Sequence, residues 1–171
     1  ALAERLAGDE AAFVERMNAK ARELALAGTR FANAHGLPDP AQRSNARDLA
    51  QLTAQLLRDH PGSRTLLGGQ TFVYAGRVYA RHIPLFNDPG GVQALKTGFT
   101  REAGYNLAVS AWRGGQQFVM VLLGSRTRAS SFLDAKRLLH FAFVENGLEP
   151  DERPRPEPRK PVRARRATAS R

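Results

Sequence analysis

Cysteine is missing from all 171 residues, which excludes disulfides and thiolate-held metal centres. Long apolar runs are missing too, and with them any segment able to cross a bilayer as a helix. The start of the chain has no Met, no basic leader and no short apolar stretch. Ala1-Leu2-Ala3-Glu4-Arg5-Leu6 reads instead as the interior of a helix, so the chain is expected to be part of a longer one. No internal repeat is present. His35, His60, His82 and His140 lack ligand spacing and carboxylate partners in sequence, so no metal site is expected.

What is present suffices for one domain with a real core, since 42% of the residues are apolar. The net charge is +10, unevenly spread. From Glu149 onward there are eight Lys/Arg against four Asp/Glu, together with five of the ten prolines. This composition has no apolar periodicity and cannot bury enough surface to order itself. Residues 1–147 are therefore expected to form the folded unit and 148–171 a disordered basic tail. The tail is read first as a flexible linker and second as an electrostatic contact with anionic lipid or polymer. It lacks the apolar face of a membrane anchor.

The folded part divides into a helical zone over 1–67, a strand-rich zone over 70–123 and a last helix over 126–147. Asp9 is a plausible cap for a helix running to Ala27, with Gly28 as its stop. A second helix follows Ser44 and ends at His60-Pro61-Gly62. Gln70 to Tyr79 reads as a hairpin turning at Ala75-Gly76. A loop ending in Asp88-Pro89-Gly90-Gly91 leads to a short strand, Val92 to Thr97. Tyr105 to Trp112 and Gln116 to Leu123 form another hairpin about Gly114-Gly115. Phe118 to Leu123 is nearly continuous in apolar residues, so that strand should be covered on both faces. Helices before and after an antiparallel sheet predict an α/β sandwich with the last helix packed on the sheet. Trp112, Tyr74 and Tyr79 are expected to pack on it, and no nucleic-acid partner is expected.

Lys96-Thr97-Gly98 is the segment with the clearest chemistry. It offers an ammonium, a hydroxyl and an uncovered backbone edge within one strand end. The ammonium sets a positive potential and the hydroxyl can bind a carboxylate. The glycine, without a Cβ, lets a substrate strand approach the edge closely.

The flanks of this triplet give it a setting. The run Gly91-Val92-Gln93-Ala94-Leu95-Lys96-Thr97-Gly98-Phe99-Thr100-Arg101-Glu102-Ala103-Gly104-Tyr105-Asn106-Leu107 closely resembles the third-motif segment of low-molecular-mass penicillin-binding proteins, the D-alanyl-D-alanine carboxypeptidases of peptidase family S11. Thr29 to Asp39 and Ser44 to Ala50 are similar to that family's N-P-H-G-L-x-D and S-T-A-R-D-M-A segments. Val121-Leu122-Leu123-Gly124 leading to Asp134-Ala135-Lys136-Arg137-Leu138-Leu139 also resembles it. The resemblance covers residues 1 to about 147 and implies the penicillin-binding, β-lactamase-like fold, represented by its C-terminal portion.

The family works by acyl transfer from a peptide ending in D-Ala-D-Ala to a serine in an S-x-x-K motif, supported by an S-x-N motif. By resemblance, Lys96 sits near the substrate carboxylate and the attacking serine, and Thr97 binds that carboxylate. Gly98 leaves the edge open, and the Phe99 backbone N–H is one of two oxyanion donors. The implied partners are peptidoglycan stem peptides and, for the full-length protein, β-lactam antibiotics. The implied location is the periplasm or the extracytoplasmic face of the bacterial inner membrane, and no cofactor is implied.

This sequence also departs from the family. No serine in the chain is followed three residues later by lysine, and none opens an S-x-N. Both motifs are expected upstream, so the chain alone should not turn over. Gln93 and Ala94 stand where the family often has Asp-Gly. The family's carboxylate-holding arginine near the start of the last helix falls on Ser131, with Arg126 and Arg128 as substitutes. His35 is read as a turn histidine or a wall of the cleft. Arg47 and Asp48 are read as helix N-terminal charges paired internally, or as the support of an active-site loop. A non-catalytic protein that keeps the peptide-binding cleft is the alternative function, and a nucleic-acid binder driven by the tail the third.

Overall fold

Capping decides where the helices of the first zone begin. The computed structural model describes residues 1–87 and 91–149. After a short helix α1 (Leu2–Ala7), helix α2 (Glu10–Glu23) starts where Asp9 accepts the Ala12 N–H at 2.7 Å. The helix stops before the expected Gly28, because Ala25 turns left-handed at φ 55°. Gly28 serves close packing instead: a Cβ there would stand 2.1 Å from Asn45 Nδ2. Helix α3 (Ala46–Asp59) is capped by Asn45, one residue after Ser44, with Asn45 Oδ1 accepting the Asp48 N–H at 2.8 Å. It ends at His60 as expected, and a further short helix, α4 (Ser63–Gly68), follows.

The strands fall into two sheets. Strands β1 (Thr71–Tyr74) and β2 (Arg77–Ala80) pair antiparallel about Ala75-Gly76. Tyr74 and Tyr79 were expected to pack on a sheet with Trp112. Instead they stand 69% and 42% exposed, and Trp112 is 44% exposed; the aromatic residues that pack on the main sheet include Phe118, Phe132 and Phe143.

That sheet has the order β3-β4-β5, with β3 (Val92–Thr100), β4 (Gly104–Arg113) and β5 (Gln116–Ser125) all antiparallel. The β4–β5 turn is Gly114-Gly115 at φ 57° and 75°, the left-handed pair that a tight hairpin requires. Strand β3 does not end at Thr97. Pairing with β4 continues through Phe99↔Tyr105 and Thr100↔Gly104, so the triplet lies inside the strand. The expected turn residues Asp88-Pro89-Gly90 lie outside the described residues.

The last helix, α5 (Arg128–Glu145), opens with a reciprocal cap: Thr127 Oγ1 accepts the Ser130 N–H, and Ser130 Oγ accepts the Thr127 N–H. Phe132, Ala135, Leu139 and Phe143 recur at helical spacing and are buried. They meet Leu95, Leu107, Val109 and Ala111 of the sheet to form the core. Strand β5 has apolar neighbours on both sides, but the cover its apolar run predicted is incomplete, since Leu123 stays 43% exposed. Phe118, Met120 and Leu122 face the α5 core, and the alternate residues Val121 and Leu123 face a cavity shared with Leu49, Leu52 and Leu56 of α3.

Beyond α5, Leu148 packs against the cluster of Ala111, Leu139 and Phe143. Glu149 meets both Arg113 Nη1 and His140 Nδ1 at 2.6 Å. The tail expected to be disordered lies, from residue 150 on, outside the described residues. Among the described residues no helix is long and apolar enough to cross a membrane.

Candidate active site

In an antiparallel strand the N–H and C=O of one residue point to the same side, and successive residues alternate. Two hydrogen bonds set this alternation for β3, an edge strand of its sheet. The carbonyl of Leu95 accepts from Arg81 Nη2 at 3.1 Å, so Leu95 faces away from β4. The carbonyl of Gly98 faces β4, where Asn106 Nδ2 donates to it at 3.5 Å. Thr97 and Phe99 therefore present their backbone N–H and C=O to the open edge. Lys96 Nζ donates to the outward carbonyl of Thr97.

The edge is covered further back. Arg81 Nη2 also donates to the Leu67 carbonyl at 3.3 Å, which ties α4 to β3, and its guanidinium lies 5.5 Å from the Phe86 ring centroid. Gly68 approaches so closely that a Cβ would stand 2.2 Å from the Gln93 oxygen. Gly98 is different: a Cβ there would meet only Asn106 Cβ, at 4.0 Å. Nothing in the fold requires glycine at that position.

The open edge borders a cavity of about 740 Å³ between β3, the 80–83 segment and the start of α5. Among the described residues its lining includes the cations Arg81, Lys96 and Arg128 and no acidic side chain. Arg128, one of the two expected substitutes for the family arginine, donates from Nη2 to the His82 carbonyl at 3.1 Å and lies over Phe132. Arg126 is not part of the lining. Ser131, at the position of the family arginine, is buried and donates its hydroxyl to the Arg128 carbonyl at 2.8 Å. Phe99 is exposed with its ring centroid 4.3 Å from that of Tyr105.

A second cavity, about 950 Å³, lies between α3 and the sheet and also reaches Lys96, Thr97 and Gly98. His35 lines it, and its Nδ1 accepts the Leu37 N–H at 3.2 Å, so the turn reading and the wall reading both hold. Asp48 is buried, but its partners are not Arg47. Its carboxylate accepts the Gly28 N–H at 2.9 Å and the Thr29 hydroxyl at 2.7 Å, clasping the loop before α3.

Sequence reasoning did not find Arg81 or Asn106. Asn106 Oδ1 accepts the Gly124 N–H at 2.9 Å while its amide reaches Gly98, so one side chain joins β3, β4 and β5 beside the triplet. Only the register, which puts Asn106 opposite Gly98, reveals it.

An edge strand carrying Lys-Thr-Gly on a helix-covered antiparallel sheet is the arrangement of penicillin-binding proteins. The solved structure of penicillin binding protein 5 from Haemophilus influenzae matches with a TM-score of 0.78 at 34% identity, covering 84% of this chain and 42% of that one. Penicillin-binding protein D2 from Listeria monocytogenes, in its cefotaxime-bound form, matches with a TM-score of 0.75 at 32% identity, covering 83% of this chain and 58% of that one.

The chain belongs to peptidase family S11, the D-alanyl-D-alanine carboxypeptidases, whose family model matches residues 1–127. D-alanyl-D-alanine carboxypeptidase DacC of Escherichia coli (strain K12) is 36% identical over 144 residues, 84% of this chain. The chain spans 36% of that relative's length.

Proposed function

We propose that this chain forms the substrate-holding wall of a serine D-alanyl-D-alanine carboxypeptidase that removes the terminal D-alanine from peptidoglycan stem peptides. The observation that carries the reading is the uncovered β3 edge at Thr97 and Phe99, beside a cavity whose described lining carries cations and no carboxylates. An extended peptide ending in a carboxylate fits this surface in both charge and backbone hydrogen bonding. The Thr97 hydroxyl and the Lys96 ammonium receive the carboxylate, with Arg128 as a further cation. The outward Phe99 N–H polarises the scissile carbonyl as an oxyanion donor; loss of one such donor typically raises the barrier by about 2.7–4 kcal/mol. Gly98 keeps the edge free of a side chain where the peptide lies.

Acylation needs a serine in S-x-x-K, which these 171 residues do not contain. In this reading the nucleophile comes from sequence outside them, and the enzyme works outside the cytoplasmic membrane, in the periplasm. The second reading is a peptide-binding protein of the same fold without catalysis, and an upstream S-x-x-K distinguishes the two.

Labelling with fluorescent penicillin separates the two readings. A longer product that includes an upstream S-x-x-K should label covalently, and this chain alone should not. A longer product that binds D-Ala-D-Ala peptides without labelling would establish the non-catalytic reading.

A further inference from the structure

The proposed chemistry falls near the end of a ladder. Pairing of β3 with β4 stops at Thr100↔Gly104, two residues beyond Gly98, and strand ends are where pairing opens first. The β4–β5 pairing is irregular at the same level. Between Tyr105↔Ser125 and Leu107↔Leu122, β4 advances two residues and β5 three, a bulge that contains Gly124 at φ 75°. A bulge leaves backbone groups without their ladder partners.

Asn106 meets both irregularities. It lies opposite Gly98, and a Cβ built on Gly98 would stand 4.0 Å from its Cβ, so the two residues share one face of the sheet. Its Oδ1 accepts the Gly124 N–H of the bulge at 2.9 Å. That group can only donate, which fixes the oxygen on the β5 side and turns the NH₂ toward the β3–β4 turn. There Nδ2 donates to the Gly104 carbonyl at 3.0 Å and reaches the Ala103 and Gly98 carbonyls at 3.4 and 3.5 Å. One half-buried side chain thus ties together the end of β3, the turn after it and the bulge of β5.

The planarity of the peptide bond carries this tie to the open edge. The Gly98 carbonyl and the Phe99 N–H belong to one trans unit and point in opposite directions. Whatever holds the carbonyl toward β4 therefore aims the N–H outward. Donation to the carbonyl also polarises the unit and strengthens its N–H as a donor. Glycine, without a Cβ, restrains its own backbone weakly, so the orientation of this unit has to be imposed by its neighbours.

We infer that Asn106 is a positioning residue for acylation: it holds the Gly98–Phe99 peptide so that the Phe99 N–H meets the developing oxyanion. This rests on the proposed carboxypeptidase reading and extends it from the open edge to the side chain behind that edge.

Penicillin acylation kinetics of a longer product that carries the S-x-x-K serine test it, with rate and labelled fraction measured separately. Asn106→Asp keeps the acceptor for Gly124 and loses the donor; Asn106→Ala loses both. Each should label to the full extent, with an acylation rate constant lowered about ten- to hundredfold, less than the complete loss of an oxyanion donor. The dissociation constant of the non-covalent complex should not change, because the carboxylate is held at Thr97. Leu139→Val, in the core beneath Ala111 at the other end of β4, should keep the parent rate.

Full labelling at the parent rate in both Asn106 variants overturns the inference. A reduced labelled fraction reacting at the parent rate overturns it in favour of a role in folding alone. Equal slowing in Leu139→Val also overturns it, since any loosening of the sheet would then suffice. Failure of the unsubstituted longer product to label removes the carboxypeptidase reading instead. The positioning is then decided in the 171-residue chain, where Asn106→Ala should change the residual dipolar coupling of the Phe99 N–H and leave that of Thr97 as it was. An unchanged coupling at Phe99 overturns it.

Discussion

The two halves of strand β3 are built for different purposes. At Ala94 and Leu95 the strand is enclosed: Gly68 presses against the preceding Gln93 carbonyl, Arg81 takes the Leu95 carbonyl, and the Leu95 side chain is buried with Leu107 and Phe132. From Lys96 to Phe99 every residue is exposed, and among the described residues the outward backbone meets no neighbouring strand. Both halves share one continuous pairing with β4. The difference is therefore one of cover and not of secondary structure. The enclosed half fixes the position of the exposed half, which in the proposed reading is the part that binds.

Substitutions along the strand should separate stability from binding. The largest loss of stability is expected from Leu95→Ala, about 2–5 kcal/mol, since it empties a fully packed site. Urea unfolding of the chain measures it. Gly68→Ala comes next, at about 1–3 kcal/mol, because the new methyl meets the Gln93 carbonyl and the backbone has to give. Thermal melting should register the same order.

Arg81→Ala removes two hydrogen bonds from a cation that bridges α4 and β3, with an expected loss of about 1–3 kcal/mol. Amide hydrogen exchange should rise at the enclosed end of β3 and remain unchanged at the β4–β5 turn. A rise spread evenly over the sheet would contradict the view of Arg81 as a local tie.

The smallest effects on stability belong to the exposed half. Gly98→Ala and Thr97→Val should each stay within about 0.5 kcal/mol of the parent, as surface changes do. In a longer product that carries the nucleophile, Thr97→Val should slow penicillin acylation about tenfold or more, the value of one hydrogen bond to a charged group. If Gly98→Ala unfolded the protein instead, the glycine would be serving the fold, and the division of the strand would fail.

The sequence carried the parts of this arrangement that depend on local chemistry. Ala75-Gly76 and Gly114-Gly115 mark their turns because left-handed backbone is scarce elsewhere. The run from Phe118 to Leu123 announced a strand with apolar neighbours on both faces, although the cover over Leu123 is incomplete. The end of β3 was not legible. From Lys96 to Phe99 no burial alternates with exposure, so only pairing with Tyr105 and Asn106 defines it as strand.

Arg81 was hidden for a similar reason. A cation fourteen residues before the carbonyl it serves has no pattern that spacing can show. Gly28 was misread because a glycine can be selected for the space it leaves as well as for its backbone angles, and Asn45 occupies that space. The triplet was conspicuous, but its meaning came from the cover around it.

The clasp at Glu149 has a consequence for how such a domain can be elaborated. Arg113 and His140 fasten this residue at the hairpin end of β4, six positions and about 20 Å along the strand from Leu107, which pairs with Thr97. The main chain is thus moored at the end of the sheet remote from Lys96-Thr97-Gly98. In the proposed reading, sequence joined beyond that mooring starts away from the mouth of the cleft and need not be routed around it.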